Sequence, residues 1–135
     1  MSYAGDLSPE EAWARLEAGA VLVDVRTEGE WARIGIPVTA AAGSDPIFIQ
    51  WNLAGGTPNL RFVDQLSEHA PSADAELVFL CRSGARSVAA ANAATAAGFT
   101  AYNVLEGFEG EPDPSGARTV NGWKNRGLPS RTGAL

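Results

Sequence analysis

Leu77-Val78-Phe79-Leu80-Cys81-Arg82-Ser83-Gly84-Ala85-Arg86-Ser87, with the alanine-rich residues 88–97 behind it, is a strand, a tight loop and a helix written in succession. Residues 77–80, half of them β-branched or aromatic, suit a buried strand. Residues 87–97 have high helix propensity, and Gly98 is a natural stop. The only cysteine of the chain therefore sits where a strand ends and a loop turns into a helix. Such a loop offers backbone N–H groups, the positive end of a helix dipole and, here, the guanidinium groups of Arg82 and Arg86. All three favour the thiolate, the form of cysteine that reacts. A single cysteine is otherwise a small buried hydrophobe. The flanking arginines, and Gly84 that lets the backbone close tightly, point to chemistry instead.

Outward from this loop the same alternation of strand and helix recurs. Leu7-Ser8-Pro9-Glu10-Glu11-Ala12-Trp13-Ala14-Arg15-Leu16-Glu17-Ala18-Gly19 reads as a helix capped by Ser8, with Pro9 at its first position, a capping box through Glu11 and Gly19 at its end. Its core face carries Ala12, Trp13 and Leu16. Ala20-Val21-Leu22-Val23-Asp24-Val25-Arg26 reads as a strand buried on both faces, the mark of a parallel sheet between helices. Asp24 and Arg26 lie at its C-terminal end, the edge where ligands bind in open α/β sheets; a structural ion pair is the other use of two such residues. Thr27-Glu28-Gly29-Glu30 repeats the capping-box pattern, so a short helix carrying Trp31 follows.

Residues 39–46 form a connection, and Ile47-Phe48-Ile49-Gln50-Trp51 is a strand by its alternation. Trp51 serves the core or lines a pocket. Residues 52–58, with Gly55-Gly56, make a flexible loop. Residues 59–70 read as a helix with Leu60, Val63 and Leu66 as its apolar stripe; His69, the only histidine, is solvated or dipole-facing there. Ala101-Tyr102-Asn103-Val104-Leu105 is a short strand, Glu106-Gly107-Phe108-Glu109-Gly110 a turn, and residues 111–116 a surface loop. Residues 120–127 suit one or two helical turns, and the tail beyond Pro129 is expected to be mobile. The alternation gives a parallel α/β sheet with right-handed crossovers.

A chain of 135 residues, 45% of them hydrophobic, suits a single domain with a real core, placed at residues 5–129. Ten basic against sixteen acidic side chains give a net charge of −6 and no basic run, so neither nucleic acid nor a membrane surface is an expected partner. The first six residues lack the charged and apolar regions of a signal peptide, and no stretch approaches a membrane-spanning length. One cysteine makes no internal disulfide, which fits a reducing compartment. The expected address is the cytoplasm.

Cys81-Arg82-Ser83-Gly84-Ala85-Arg86-Ser87 resembles the active-site loop of the rhodanese (thiosulfate sulfurtransferase) family. Val23-Asp24-Val25-Arg26 with Glu30-Trp31 resembles the family's first signature, Leu105-Glu106-Gly107-Phe108 its Leu-Glu-Gly-Gly turn, and Gly122-Trp123 with Gly127-Leu128-Pro129 its closing helix. The chain departs from the pattern twice. Gly35-Ile36-Pro37-Val38-Thr39-Ala40 lacks the family's histidine and second glycine, and Phe108 replaces a glycine, which is expected to narrow the mouth of the pocket.

The resemblance implies a small five-stranded parallel sheet with helices on both faces, and a sulfurtransferase. Cys81 would take a sulfane sulfur from thiosulfate or a similar small-molecule donor as a persulfide. A thiol or cyanide, or a protein acceptor, would receive it, with no cofactor and no metal. The backbone N–H groups of Arg82, Ser83, Gly84, Ala85, Arg86 and Ser87 would hold the persulfide anion, Arg82 and Arg86 would orient the donor, and Asp24 and Arg26 would brace the loop. Two alternatives stand beside this. Tyrosine-type phosphatases, one group of which shares the fold, use a similar cradle with five residues between cysteine and arginine, where this chain has four. A purely binding module of the same fold needs neither the cysteine nor the loop arginines.

Overall fold

The structure, a computed structural model, describes residues 3–132. In chain order its elements are β1 (Gly5–Leu7), α1 (Pro9–Glu17), β2 (Val21–Asp24), α2 (Glu28–Ile34), β3 (Ile36–Pro37), β4 (Ile47–Phe48), α3 (Phe62–His69), β5 (Glu76–Leu80), α4 (Ala85–Ala96), β6 (Thr100–Val104) and β7 (Ser130–Arg131). Five strands make one sheet in the order β1-β6-β5-β2-β4, every neighbouring pair parallel. The strands at its centre, β2 and β5, are the near-continuous apolar runs that a doubly covered sheet requires.

Side chains leave this sheet with a period of two and so build two cores. Val21, Val23 and Val25 join Leu77, Phe79 and Cys81 on the face covered by α3, through Phe62 and Leu66, and by α4, through Ala90, Ala91 and Ala94. Leu22, Val78 and Leu80 point to the other face, where Ala12 and Leu16 of α1, Phe108 and Trp123 meet them. Each fully buried large apolar side chain contributes about 1.5–3 kcal/mol. Both capping boxes form: Ser8 Oγ accepts from Glu11 N at 3.1 Å, and Thr27 Oγ1 accepts from Glu30 N at 3.3 Å. Among the described residues, no helix is long and apolar enough to cross a membrane.

The structure departs from the sequence reading at several places. Gly5–Leu7 is an edge strand pairing with β6, so Leu7 does not belong to the approach of α1. Helix α3 begins at Phe62, which sets its inward stripe to Phe62 and Leu66; Leu60 lies outside it and is 93% exposed. Residues 120–127 form turns instead of helix, because Trp123 N and Lys124 N donate to Gly107 O and Phe108 O, both at 2.9 Å. Finally, Ser130–Arg131 of the tail pairs antiparallel with Ile36–Pro37; the tail's last three residues, 133–135, lie outside the described residues.

Candidate active site

Strand β5 delivers Cys81 to the carboxyl edge of the sheet, and β2 fixes the exit by a Val25 N–H bond to Leu80 O at 2.8 Å. The chain then needs three residues, Arg82 to Gly84, to reverse into α4. Gly84 makes this possible as the N-cap, at φ +118°. Its N–H donates to Cys81 Sγ at 3.1 Å. Ala85, Arg86 and Ser87 are the first turn of α4, whose N–H groups have no partner one turn back within the helix. The Gly84 N–H and the positive end of the α4 dipole thus meet at one sulfur, which is buried with only 1% exposure of the residue. Ser87 Oγ lies 3.2 Å from that sulfur.

The turn after β6 clasps the loop from beneath. Phe108 N donates to Cys81 O at 2.7 Å, and Glu109 N and Gly110 N donate to Arg82 O at 3.0 and 3.2 Å. At Gly107 (φ +65°), a Cβ would stand 2.5 Å from the carbonyl carbon and oxygen of Arg82. Trp123, fully buried, holds the turn in place and donates through Nε1 to Pro129 O at 2.8 Å. Phe108 is not at a pocket mouth: it is 1% exposed, and its ring lies under the Arg26 guanidinium at 4.2 Å. A side chain replacing glycine there fills core space and leaves the mouth unaltered.

Asp24 and Arg26 are fully buried and paired. Arg26 NH2 donates to Asp24 Oδ2 at 2.7 Å and to Gly35 O at 2.8 Å, and Nε donates to Asp24 Oδ1 at 3.0 Å. The pair reaches the loop through Phe108, whose ring carries the guanidinium and whose N–H holds Cys81 O. It joins β2, the start of β3 and the clasping turn into one rigid support.

Each loop arginine has a carboxylate partner. Arg86 grips Glu30 of α2 with both terminal nitrogens, at 2.6 and 2.9 Å. Arg82 Nε donates to Glu109 at 2.8 Å, on a side chain 41% exposed whose NH1 and NH2 are not engaged by that contact. The hydrogen bonds that Arg86 donates to Glu30, opposed by burial and joined by the charges of Glu30, Cys81 and Asp24, raise Arg86 above the usual arginine range. For Glu30, burial pushes upward, but the Arg86 and Thr27 hydrogen bonds and the Arg86 charge outweigh it and hold the carboxyl at about 2.

A carboxyl lowered in the folded state contributes stability above its unfolded value, here 4.5, and loses it as the pH falls toward about 2. The urea midpoint of the native protein should therefore exceed that of Glu30→Gln at neutral pH. The gap should close across that acid window. A gap of constant size down to pH 2 would contradict the charge pairing.

A cleft of about 590 Å³ opens beside the loop, lined by Thr27, Glu28, Gln50, Asn52, the Gly55-Gly56 turn and Arg86. Only Ile47–Phe48 of the expected 47–51 strand pairs as β4; Trp51, beyond its end, packs edge-on against Phe62 at 4.9 Å on the core side. His69 is exposed, with Nδ1 at 2.9 Å from Gln65 O. Among the described residues, no three of His, Cys, Asp and Glu are grouped to hold a metal ion. Asn103 and Asp6 escaped the sequence reading although they are linked to Ser87, Asn103 donating to Asp6 at 3.0 Å. The available signal was parity: Asn103 shares a strand face with Ala101, and a buried amide on that face needs partners.

The family model described as a rhodanese-like domain matches residues 8–110. The crystal structure of an M. tuberculosis protein superposes with a TM-score of 0.92 at 46% identity, covering 98% of this chain and 100% of that one. A polysulfide-sulfur transferase homodimer from Wolinella succinogenes shares the fold, with a TM-score of 0.63 at 23% identity over 94% of this chain and 77% of that one. An uncharacterised protein of Rickettsia conorii is 41% identical over 112 residues, 82% of this chain and 81% of its own length.

Proposed function

The chain belongs to the rhodanese-like domain family, and from that premise we propose that it is a sulfurtransferase working through a persulfide on Cys81. The observation that carries this reading is the sulfur itself, set at the N-terminus of α4 with the Gly84 N–H donating to it at 3.1 Å. The thiolate attacks the outer sulfur of thiosulfate or a similar donor. A Cys81 S–S bond forms, the donor's S–S bond breaks, and sulfite leaves with its electron pair. The charge then rests on the outer persulfide sulfur, which the first-turn N–H groups of Ala85, Arg86 and Ser87 would hold.

Arg82 draws the anionic donor with its two terminal nitrogens, and Arg86, held flat by Glu30, sets the wall between loop and cleft. The acceptor, a small thiol, cyanide or a cysteine of a protein, approaches through the cleft and takes the outer sulfur, regenerating the thiolate. With one cysteine in the chain, no second thiol of its own resolves the persulfide. The name of the W. succinogenes neighbour, a sulfur transferase, accords with this chemistry.

Loop length separates sulfur from phosphate. Four residues stand between Cys81 and Arg86. A phosphoryl group asks the cradle to wrap three equatorial oxygens, and each residue of chain spans at most about 3.3–3.6 Å. A ring this short suits a single sulfur. Incubation with thiosulfate and cyanide should yield thiocyanate, while an aryl phosphate should not be hydrolysed. Aryl-phosphatase turnover that needs Cys81 and exceeds thiocyanate formation would overturn the proposal.

A further inference from the structure

Two arginines beside a cysteine ordinarily gather negative charge. In this loop both are already engaged. Arg86 grips Glu30 of α2 at 2.6 and 2.9 Å, and Arg82 Nε donates to Glu109, in the turn after β6, at 2.8 Å. Both carboxylates are largely buried, with side chains 12% and 10% exposed, so dissolved salt screens these pairs less than it would at the surface. The third arginine of the site, Arg26, is closed against Asp24. Outside these pairs, Arg118 donates to Gly110 O and Glu28 lines the cleft, one charge of each sign. Glu106, in the same turn as Glu109, is paired with Arg126.

These charges cancel, within a chain whose net charge is −6. Hydrogen-bond donors remain. The contact with Glu109 leaves Arg82 its Nη1 and Nη2, and the Gly84 N–H points at the sulfur. Such a mouth orients an oxyanion by its hydrogen bonds but holds no surplus positive charge for a second negative one. A donor must also meet the Cys81 thiolate, itself negative. A thiosulfate dianion is repelled there twice as strongly as a singly charged donor at the same distance.

Resting on the sulfur-transfer reading, we infer that Glu30 and Glu109 are specificity-determining residues, which neutralise the loop arginines and select a singly charged sulfane-sulfur donor over the thiosulfate dianion. They act through the arginines and touch no donor atom. Methanethiosulfonate is a donor of the favoured kind. The Cys81 thiolate bonds to its terminal sulfur, the donor's S–S bond breaks, and methanesulfinate leaves with the electron pair. Thiosulfate reacts by the same steps and loses sulfite. The two donors thus differ by one charge, at the end remote from the attacked sulfur.

The test compares kcat/KM for thiosulfate and for methanethiosulfonate, with cyanide as acceptor, thiocyanate as the readout and the Cys81→Ser protein as the blank. Glu109→Gln and Glu30→Gln each keep an oxygen to accept from their arginine and remove one negative charge. In each, the thiosulfate-to-methanethiosulfonate ratio should rise about threefold or more over the native ratio. A change in the reactivity of Cys81 or in the folded fraction acts on both donors alike and drops out of that ratio. The two carboxylates belong to different elements, so a shared shift does not arise from one local rearrangement. In the native protein, kcat/KM for thiosulfate should hold level or rise as sodium chloride is added, because screening relieves repulsion. A ratio at or below the native one in either folded variant would overturn the inference. So would a steep loss of native thiosulfate turnover with salt, the sign of net attraction. Urea midpoints establish that each variant is folded; if one is not, the other and the salt series decide. Thiocyanate from neither donor would remove the sulfur-transfer reading and this inference with it, whereas turnover of both donors with unmoved ratios removes the inference alone.

Discussion

Replacing Cys81 by serine is expected to end thiocyanate formation, a loss of at least about a thousand-fold, while leaving the protein folded. No other atom of the chain can carry the sulfur, because the sequence holds one cysteine. A serine hydroxyl stays un-ionised near neutral pH and is a far weaker nucleophile toward sulfur than a thiolate. The fold should tolerate the change. A hydroxyl at this position can still accept the Gly84 N–H and meet Ser87, and a buried exchange of this size costs about 1 kcal/mol. Initial rates with thiosulfate and cyanide, read beside the urea midpoint, check both halves. A serine variant that keeps near-native turnover would remove Cys81 from the mechanism.

The second large effect belongs to a residue that touches no substrate. Gly107→Ala is expected to destabilise the protein by several kcal/mol and to cut activity in whatever fraction remains folded. Gly98→Ala supplies the control. Both glycines have positive φ, +65° and +100°, so both substitutions incur the conformational cost of about 1–2 kcal/mol. Gly98 has nothing within 4 Å of its added Cβ, whereas at Gly107 that carbon lies 2.5 Å from the Arg82 carbonyl carbon and oxygen and 2.7 Å from Cys81 O.

Those backbone atoms cannot swing aside as a side chain would. Relief requires the clasping turn to part from the loop, breaking the Phe108, Glu109 and Gly110 N–H bonds to residues 81 and 82. The excess loss in Gly107→Ala therefore gives a lower bound on the clasp, because φ +100° at Gly98 strains an alanine more than φ +65° does. Equal denaturation midpoints for Gly98→Ala and Gly107→Ala would show that the turn does not hold the loop.

The Cys81 loop and its two neighbouring strands are legible in the sequence because their signals are local. Apolar runs of strand length, capping boxes at Ser8 and Thr27, and a helix-forming alanine run each specify their own element. The features that escaped depend on distant partners. Strand β1 is three residues long and carries Asp6 in its middle, so only its pairing with β6 makes it a strand. Residues 120–127 carry a helix-like pattern, yet the backbone N–H groups of Trp123 and Lys124 go to carbonyls of the Gly107-Phe108 turn.

In the site, the resemblance brought out Cys81, the two arginines and the Asp24–Arg26 pair. It did not show that Glu30 and Glu109 each take one of those arginines. That pairing depends on where α2 and the turn after β6 arrive in space. Phe108 shows the same limit. Its departure from glycine read as a change at the pocket mouth, and the fold turns the ring inward over Arg26 instead.

The mass of the intact native protein after incubation with thiosulfate, freed of donor in a thiol-free buffer, tests persulfide formation on Cys81 most directly. Sulfur transfer through Cys81 predicts the addition of one sulfur atom, absent from Cys81→Ser and discharged as thiocyanate when cyanide is added. An unchanged mass in the native protein, or a sulfur adduct that persists in Cys81→Ser, would contradict it.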